Sequence, residues 1–293
     1  MNPELITISM AEYLRIKALS ASLCNALLSQ SPAHAFHELN TDDDDPSAAS
    51  ETGTAIHDLL LEGRDRLVII DAKDYRTAAA KEQRDFARSQ GSIPILKDKA
   101  PQIEGAVKAA KAFVKASELD GIFKKGHAEL TALWNDPVDG GGLGVSCKAR
   151  PDWLPEGPQF DRFIVHVKTT AGSAEPNSWI RNQLFGMGYD VAAVFYERAF
   201  AETERRSIFL VIEQSPPHGC AWIGLSPAAH ELASSKVARA IDTWGLCAKA
   251  GKWPGYPHSI CYAEPFAWQM KDEQQVEINQ AYDALQAEKG LQP

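Results

Sequence analysis

The chain has 293 residues, 44% of them hydrophobic and 24% charged, with a net charge of −9 and a pI near 5.4. That length fits one large domain or two small ones, and no apolar run is long enough to cross a bilayer. The acidity argues against a protein that coats nucleic acid non-specifically, though not against an enzyme with a locally basic groove.

Met1–Met10 carries no basic start followed by an apolar stretch, so no secretory leader is expected. The five cysteines, Cys24, Cys147, Cys220, Cys247 and Cys261, are odd in number and widely spaced, with no CxxC pair. A disulfide framework, a structural zinc site and a cysteine-bound cluster are all disfavoured, and a reduced, cytoplasmic protein is the simple reading.

Taken in chain order, Leu19–Phe36 has helical apolar spacing at Leu23, Ala26, Leu27 and Ala33, with Ser20 and Pro32 as bounding signals. The run Asp42-Asp43-Asp44-Asp45 reads as a solvated loop. Consecutive aspartates cannot all face one ion, and calcium-loop spacing is absent. Thr52–Glu62 predicts a short helix closed by Gly63. Thr77–Gln90 and Pro101–Ala116 predict two more, carrying Lys81, Arg84, Arg88, Lys108, Lys111 and Lys115 on a solvated face, or alternatively on an edge that meets phosphate.

The period then changes. Ala128–Trp134, Gly144–Leu154 and Phe163–Thr169 read as strands, with turns at Gly140-Gly141-Gly142 and at Pro155-Glu156-Gly157-Pro158. Pro176–Ala199 predicts one long helix. Ser207–Gln214 and Cys220–Leu225 predict a hairpin around Pro216-Pro217, and Pro227–Ala250 a final long helix. Lys271–Lys289 is a polar, helical tail. With no internal repeat and no long linker, the expectation is one α/β domain over 1–293. It comprises a mainly helical part (1–125), a sheet core with a closing helix (126–256) and a tail (257–293).

Chemistry concentrates in two segments. Asp152 ends a strand in Lys148-Ala149-Arg150-Pro151-Asp152-Trp153, and Lys168 lies on the next strand in Ile164-Val165-His166-Val167-Lys168-Thr169-Thr170. Residues 166 and 168 share a strand face. If the strands pair, a carboxylate, a possible metal ligand and a lysine converge, and such a lysine can orient or deprotonate a water attacking a phosphodiester. Alone, the arrangement is common on surface strands. The apolar neighbours Val165 and Val167 instead suggest a buried central strand, where an unpaired lysine is costly.

The run from Gly144 to Ala171 resembles the catalytic hairpin of RecE-like phage exonucleases (exodeoxyribonuclease VIII), members of the PD-(D/E)XK nuclease superfamily. The pattern is an arginine-proline-aspartate, a loop, then an acid-x-lysine-threonine-threonine. Ser20-Ala21-Ser22 with Ser31-Pro32-Ala33, Gly53–Leu60 with its His57, and Gly251-Lys252-Trp253-Pro254-Gly255-Tyr256 are similar to other parts of the same family. The likeness spans Leu19 to Tyr256. It implies an α/β restriction-endonuclease-like core: a central mixed sheet flanked by helices, with an N-terminal helical part.

Position by position, the resemblance implies that His57 and Asp152 ligate a metal, Mg²⁺ or Mn²⁺, together with residue 166 and the Val167 carbonyl. It makes Lys168 the catalytic lysine, Glu129 a supporting glutamate and Gln183 a glutamine bordering the site. A buried histidine satisfied by a backbone carbonyl is the plain alternative for His57. The family's aromatic one turn beyond Gln183 is absent; Met187 stands there, with Tyr189 slightly beyond. The main departure is His166, where the pattern has an acid. Imidazole suits Mn²⁺, Zn²⁺, Ni²⁺ or Co²⁺ better than Mg²⁺. An active enzyme with another metal, a relative that kept only binding, and a deliberate inactivating substitution all remain open. The resemblance further implies 5′–3′ degradation of linear duplex DNA in a phage or prophage setting within a bacterial host. It also implies a ring-shaped homo-oligomer and a single-strand annealing recombinase as partner.

Overall fold

The computed structural model describes residues 3–41, 48–63, 66–137 and 144–288. The aspartate run and the glycine run Gly140–Gly142 noted above lie outside these residues. The chain divides into two compact units, Met1–Gly255 and Tyr256–Pro293.

The elements of the first unit are, in order, β1 (Glu4–Ile6), α1 (Met10–Arg15), α2 (Ala21–Ser29), α3 (Pro32–Asn40), α4 (Ala48–His57), β2 (Leu67–Ile70), α5 (Ala78–Ser89), β3 (Ile93–Leu96), α6 (Ala100–Ala116), β4 (Gly126–Ala128), β5 (Thr131–Asp136), β6 (Val145–Ala149), β7 (Trp153–Pro155), β8 (Phe163–Thr170), α7 (Pro176–Trp179), α8 (Tyr189–Ala199), β9 (Arg206–Glu213), β10 (Cys220–Gly224) and α9 (Pro227–Ala250). Among the described residues of the second unit, Ala267–Glu288 form α10.

The central sheet has five strands in the order β10-β9-β8-β7-β4. Only β8 and β9 run parallel, joined through α7 and α8; the other pairs are antiparallel. A three-stranded sheet β1-β5-β6 and a parallel pair β2-β3 stand beside it. Alternation along β8 and β9 sorts the core. Val165, Val167, Leu210 and Ile212 pack with Ala55 and Ile56 of α4 and with the apolar side of α6. Ile164 faces the other way, into a cluster with α2, α8, α9 and the three-stranded sheet. Phe209 and Val211 meet Trp179 and Tyr189 in a third. A mixed sheet covered by helices on both faces is therefore the fold.

Four of the expected elements are divided, each for a local reason. The helix over Leu19–Phe36 is two helices, because Pro32 has no N–H to continue the first and Ser31 caps the second by accepting from His34 N–H. The helix over Pro176–Ala199 is interrupted after Trp179 by a π-turn, Ile180–Leu184, and then by Gly188 at φ 68°. The strand over Ala128–Trp134 breaks at Glu129, whose φ of 54° no strand accommodates. The strand over Gly144–Leu154 breaks at Arg150-Pro151-Asp152, where Pro151 offers no ladder donor. The last two breaks face each other. The hairpin ribbon leaves the three-stranded sheet (β5, β6) and enters the five-stranded one (β4, β7) at one corner, closed by the Glu129 N–H donating to the Asp152 carbonyl (3.2 Å).

Arg88, expected on a solvated face of α5, is bonded to the buried Glu51 (2.8 Å). Among the described residues, no helix is long and apolar enough to cross a membrane.

Candidate metal centre

The corner of the ribbon presents two carboxylates, and α4 brings the third group. β7 pairs with β8 at Trp153 and Val165, and α4 packs against the face of β8 that carries Val165, Val167 and Thr169. The approach is close: a Cβ on Gly53 would stand 3.2 Å from Thr169 Oγ1. His57, the last residue of α4, then passes directly into a π-turn, Asp58–Glu62, closed by Gly63 at φ 62°. The other π-turn of the chain's described residues carries Gln183. Single π-turns inside helices recur at functional sites.

His57 Nε2 lies 3.4 Å from Glu129 Oε1 and 3.6 Å from Asp152 Oδ1. One donor atom from each of the three residues falls within 4.8 Å of the others. Donors at that spacing can surround one divalent cation, since bonds to such an ion are about 2.0–2.6 Å long. The set of one nitrogen and two carboxylate oxygens matches the chemistry of such an ion.

Each ligand candidate is braced from behind. Val167 N–H donates to Asp152 Oδ2 (2.7 Å), which turns Oδ1 toward His57. In an extended residue the N–H and C=O point to the same edge, so the Val167 carbonyl also faces the Asp152 side. Arg150 Nε donates to Glu129 Oε2 (2.5 Å), and its Nη1 donates to the Ile8 carbonyl (2.8 Å) and to Thr131 Oγ1 (3.3 Å). Arg150 thus fixes a glutamate whose own backbone is in a left-handed conformation, of the kind found at functional sites. The sequence reading assigned Arg150 no role, although its place in Arg-Pro-Asp was the available signal.

Charge couples the group. Burial raises the Asp152 carboxyl, but the Lys168 ammonium and the bond to His57 outweigh it and hold the group well below the usual carboxylate range. Burial lowers His57, yet the hydrogen bond and charge of Asp152, with Glu129, bring its pKa above the ordinary histidine value. Glu129 is raised, chiefly by burial, against the opposing pull of Arg150 and His57. Lys168 Nζ sits 5.4 Å from the centre of the Tyr189 ring, which stacks on Trp179.

The remaining expected residues fall as follows. His166 shares its strand face with Lys168 but is not one of the clustered donors among the described residues. Its Nε2 lies 3.2 Å from Ser207 Oγ, and its ring packs edge-on against Tyr196 (4.9 Å) and beside Phe209 (5.2 Å). Ser207 Oγ donates to the Ala193 carbonyl (3.0 Å), so it accepts from His166, which places the imidazole proton on Nε2. Burial, with Lys168 adding to it, lowers the His166 pKa to about 4 despite Asp152, so the ring is neutral at neutral pH. Gln183 is half-buried on its π-turn, where its carbonyl accepts from Met187 N–H (2.9 Å).

Comparison with known proteins follows this geometry. A family model described as PDDEXK-like domain of unknown function (DUF3799) matches residues 20–264. A solved structure of a protein from Eubacterium rectale, provisionally described as an exonuclease, superposes with a TM-score of 0.53 at 14% identity, covering 89% of this chain and 97% of that one. A second, SSO0001, reaches a TM-score of only 0.29 at 14% identity, over 77% and 84% of the two chains, too low to bear on the fold. No curated protein matches the sequence.

Proposed function

We propose, since the chain belongs to the family of PDDEXK-like domains DUF3799, that it is a metal-dependent nuclease acting on DNA at the His57–Glu129–Asp152 corner. The observation that carries this reading is the meeting of those three donors near Lys168, where α4 packs against β8. His57, Glu129 and Asp152 would hold the cation, with the Val167 carbonyl beside them. A divalent ion there supplies positive charge to the phosphate as its negative charge grows.

The chain's own residues supply the rest. The Lys168 ammonium, whose charge already depresses the Asp152 carboxyl, would orient the attacking water and offset the negative charge that grows on the phosphate. Arg150 and Val167 N–H fix the two carboxylates before substrate arrives, so little reorganisation accompanies reaction. Gln183, on the turn between α7 and α8, would border the site, as the RecE-like motifs imply.

The finer reading is a 5′–3′ exonuclease on linear duplex ends, serving phage or prophage recombination as a ring-shaped homo-oligomer beside an annealing recombinase in a bacterial cytoplasm. It rests on the RecE-like motifs. A second reading is favoured by one observation: His166, where an acid is expected, is neutral and engaged with Ser207. On that reading the fold holds DNA or a protein without cutting.

Digestion of linear duplex, circular duplex, single-stranded DNA and RNA, each with Mg²⁺ and with Mn²⁺, decides between the two. Cleavage of linear DNA that Lys168→Ala abolishes, with DNA binding retained, supports the enzyme. Binding without cleavage in either metal supports the binding module.

A further inference from the structure

Leu184 is buried, and the chain then runs through Phe185-Gly186-Met187-Gly188 to the start of α8. Phe185 is 41% exposed and Met187 59%, and neither belongs to any of the three core clusters. Lone exposed apolar residues are ordinary, so what distinguishes this pair is place. Two residues after Met187, the Tyr189 ring stands against Lys168 Nζ (5.4 Å) and is backed by buried Trp179.

The loop is also fixed. Gly188 is left-handed (φ 68°), and a Cβ there would come within 2.2 Å of the Asn25 side chain, whose Nδ2 donates to the Gly188 carbonyl (3.3 Å). Met187 N–H donates to Gln183 O (2.9 Å), and Gly188 N–H to Phe185 O (3.4 Å). Cations border it. Lys236 Nζ, anchored on buried Asp190 (2.6 Å), sits 5.9 Å from the Phe185 ring, and exposed Arg181 lies on the preceding turn.

Two exposed apolar side chains on a hydrogen-bonded loop that leads into Tyr189, the ring against Lys168, with Lys236 and Arg181 bordering them, have the character of a stacking platform. Every nucleobase has a π-face for an aromatic ring or a thioether to cover, and the neighbouring cations suit the backbone. We propose that Phe185 and Met187 stack on the unpaired terminal bases of a DNA strand and so deliver its phosphodiester to Lys168. The inference rests on the nuclease reading and narrows its substrate to an end whose last bases are separated from their partners.

The test uses the full chain as Lys168→Ala, which leaves DNA uncut, and a duplex with a short single-stranded end carrying 2-aminopurine at its terminal base. Stacking quenches that fluorophore. Binding should quench it. In Lys168→Ala/Phe185→Ala/Met187→Ala the quench should disappear, with affinity for the frayed end falling about tenfold and affinity for closed duplex nearly unchanged. Both side chains are exposed, so the triple variant should melt like its parent. Phe185→Trp, placed in Lys168→Ala/Met187→Ala, should restore the quench. An equal quench in the triple variant, or no restoration by Trp, overturns the platform while leaving the nuclease reading intact. So does an unchanged quench accompanied by altered self-association, which would make the loop a protein contact. If Lys168→Ala binds no DNA at all, the nuclease reading fails and the platform with it.

Discussion

His57 sits between two carboxylates, and its proton is a competitor of any cation. A histidine whose folded pKa lies above its unfolded value, about 6.5, stabilises the fold fully below that value. The contribution is lost as pH rises through the folded pKa. The metal-free protein should therefore lose stability over that interval, while affinity for a divalent ion climbs, because binding expels the same proton. Urea denaturation in EDTA across a pH series, with calorimetric titration of Mn²⁺ in two buffers of different ionisation heat, measures both. His57→Gln should flatten the stability profile and abolish the proton release.

His166 is the residue at which substitution is most informative. His166→Asp replaces a neutral ring by a carboxylate in a buried place near Asp152, and like charges disfavour each other's ionised form. Without metal the variant should be less stable than its parent by roughly 2–4 kcal/mol. Mg²⁺ at a hundredfold excess over its dissociation constant should return about 2.7 kcal/mol. Mg²⁺-dependent cleavage of linear duplex should rise above that of the parent, with a smaller gain in Mn²⁺. Thermal melts with and without Mg²⁺, beside digestion time courses, check this. A variant that stays folded, binds DNA and remains inert in both metals would speak for the binding module.

At the scale of elements, the β5–β6 ribbon is anchored to α8 by an ion pair at the end away from the corner. Arg198 Nε donates to Asp136 Oδ2 (2.7 Å), its Nη2 also bonds that carboxylate, and Trp134 Nε1 donates to it (3.1 Å). Asp136 is buried at the end of β5. Arg198→Ala should cost about 3–5 kcal/mol by leaving that charge unpaired, read as a lower urea midpoint at unchanged slope.

The sequence revealed elements wherever one signal acted alone. α9 was legible from end to end because Ser226, Pro227 and Gly251 mark its limits, and α6 nearly so. Periodicity could not reveal the corner itself. An alternating pattern passes through Glu129 and Asp152 without a change of period, and only the backbone reports that the ribbon changes sheets there. Both π-turns were hidden for a related reason: one extra residue per turn leaves no mark in an apolar stripe this short. β1, β2 and β3 went unseen because three or four residues carry too little pattern to stand out. Of the candidate site, the His57, Glu129, Asp152 and Lys168 positions were proposed from motif likeness, and the first three are the donors that cluster. The Arg150 brace and the Ser207 contact of His166 depend on segments far apart in the chain, which spacing cannot register.

For the whole molecule, the three core clusters all fall before Gly255. Every side chain described from Tyr256 to Ala281 is exposed. A chain ended after Gly255 should therefore fold, with its thermal midpoint within about 2 °C of the full-length value, since ~1 kcal/mol shifts a domain of this size by 2–4 °C. A fall of many degrees would mean that the second unit supports the first.

Arg150 grips the carbonyl of Ile8 with the same guanidinium that fixes Glu129. The segment just after β1 is thereby tied to the glutamate of the candidate site. A load on residues 3–8, whether from a tether, a fused domain or a docked neighbour, would reach the glutamate through this guanidinium and through the pairing of β1 with β5. If the corner holds a cation, as proposed, pulling on residues 3–8 should change the affinity for it.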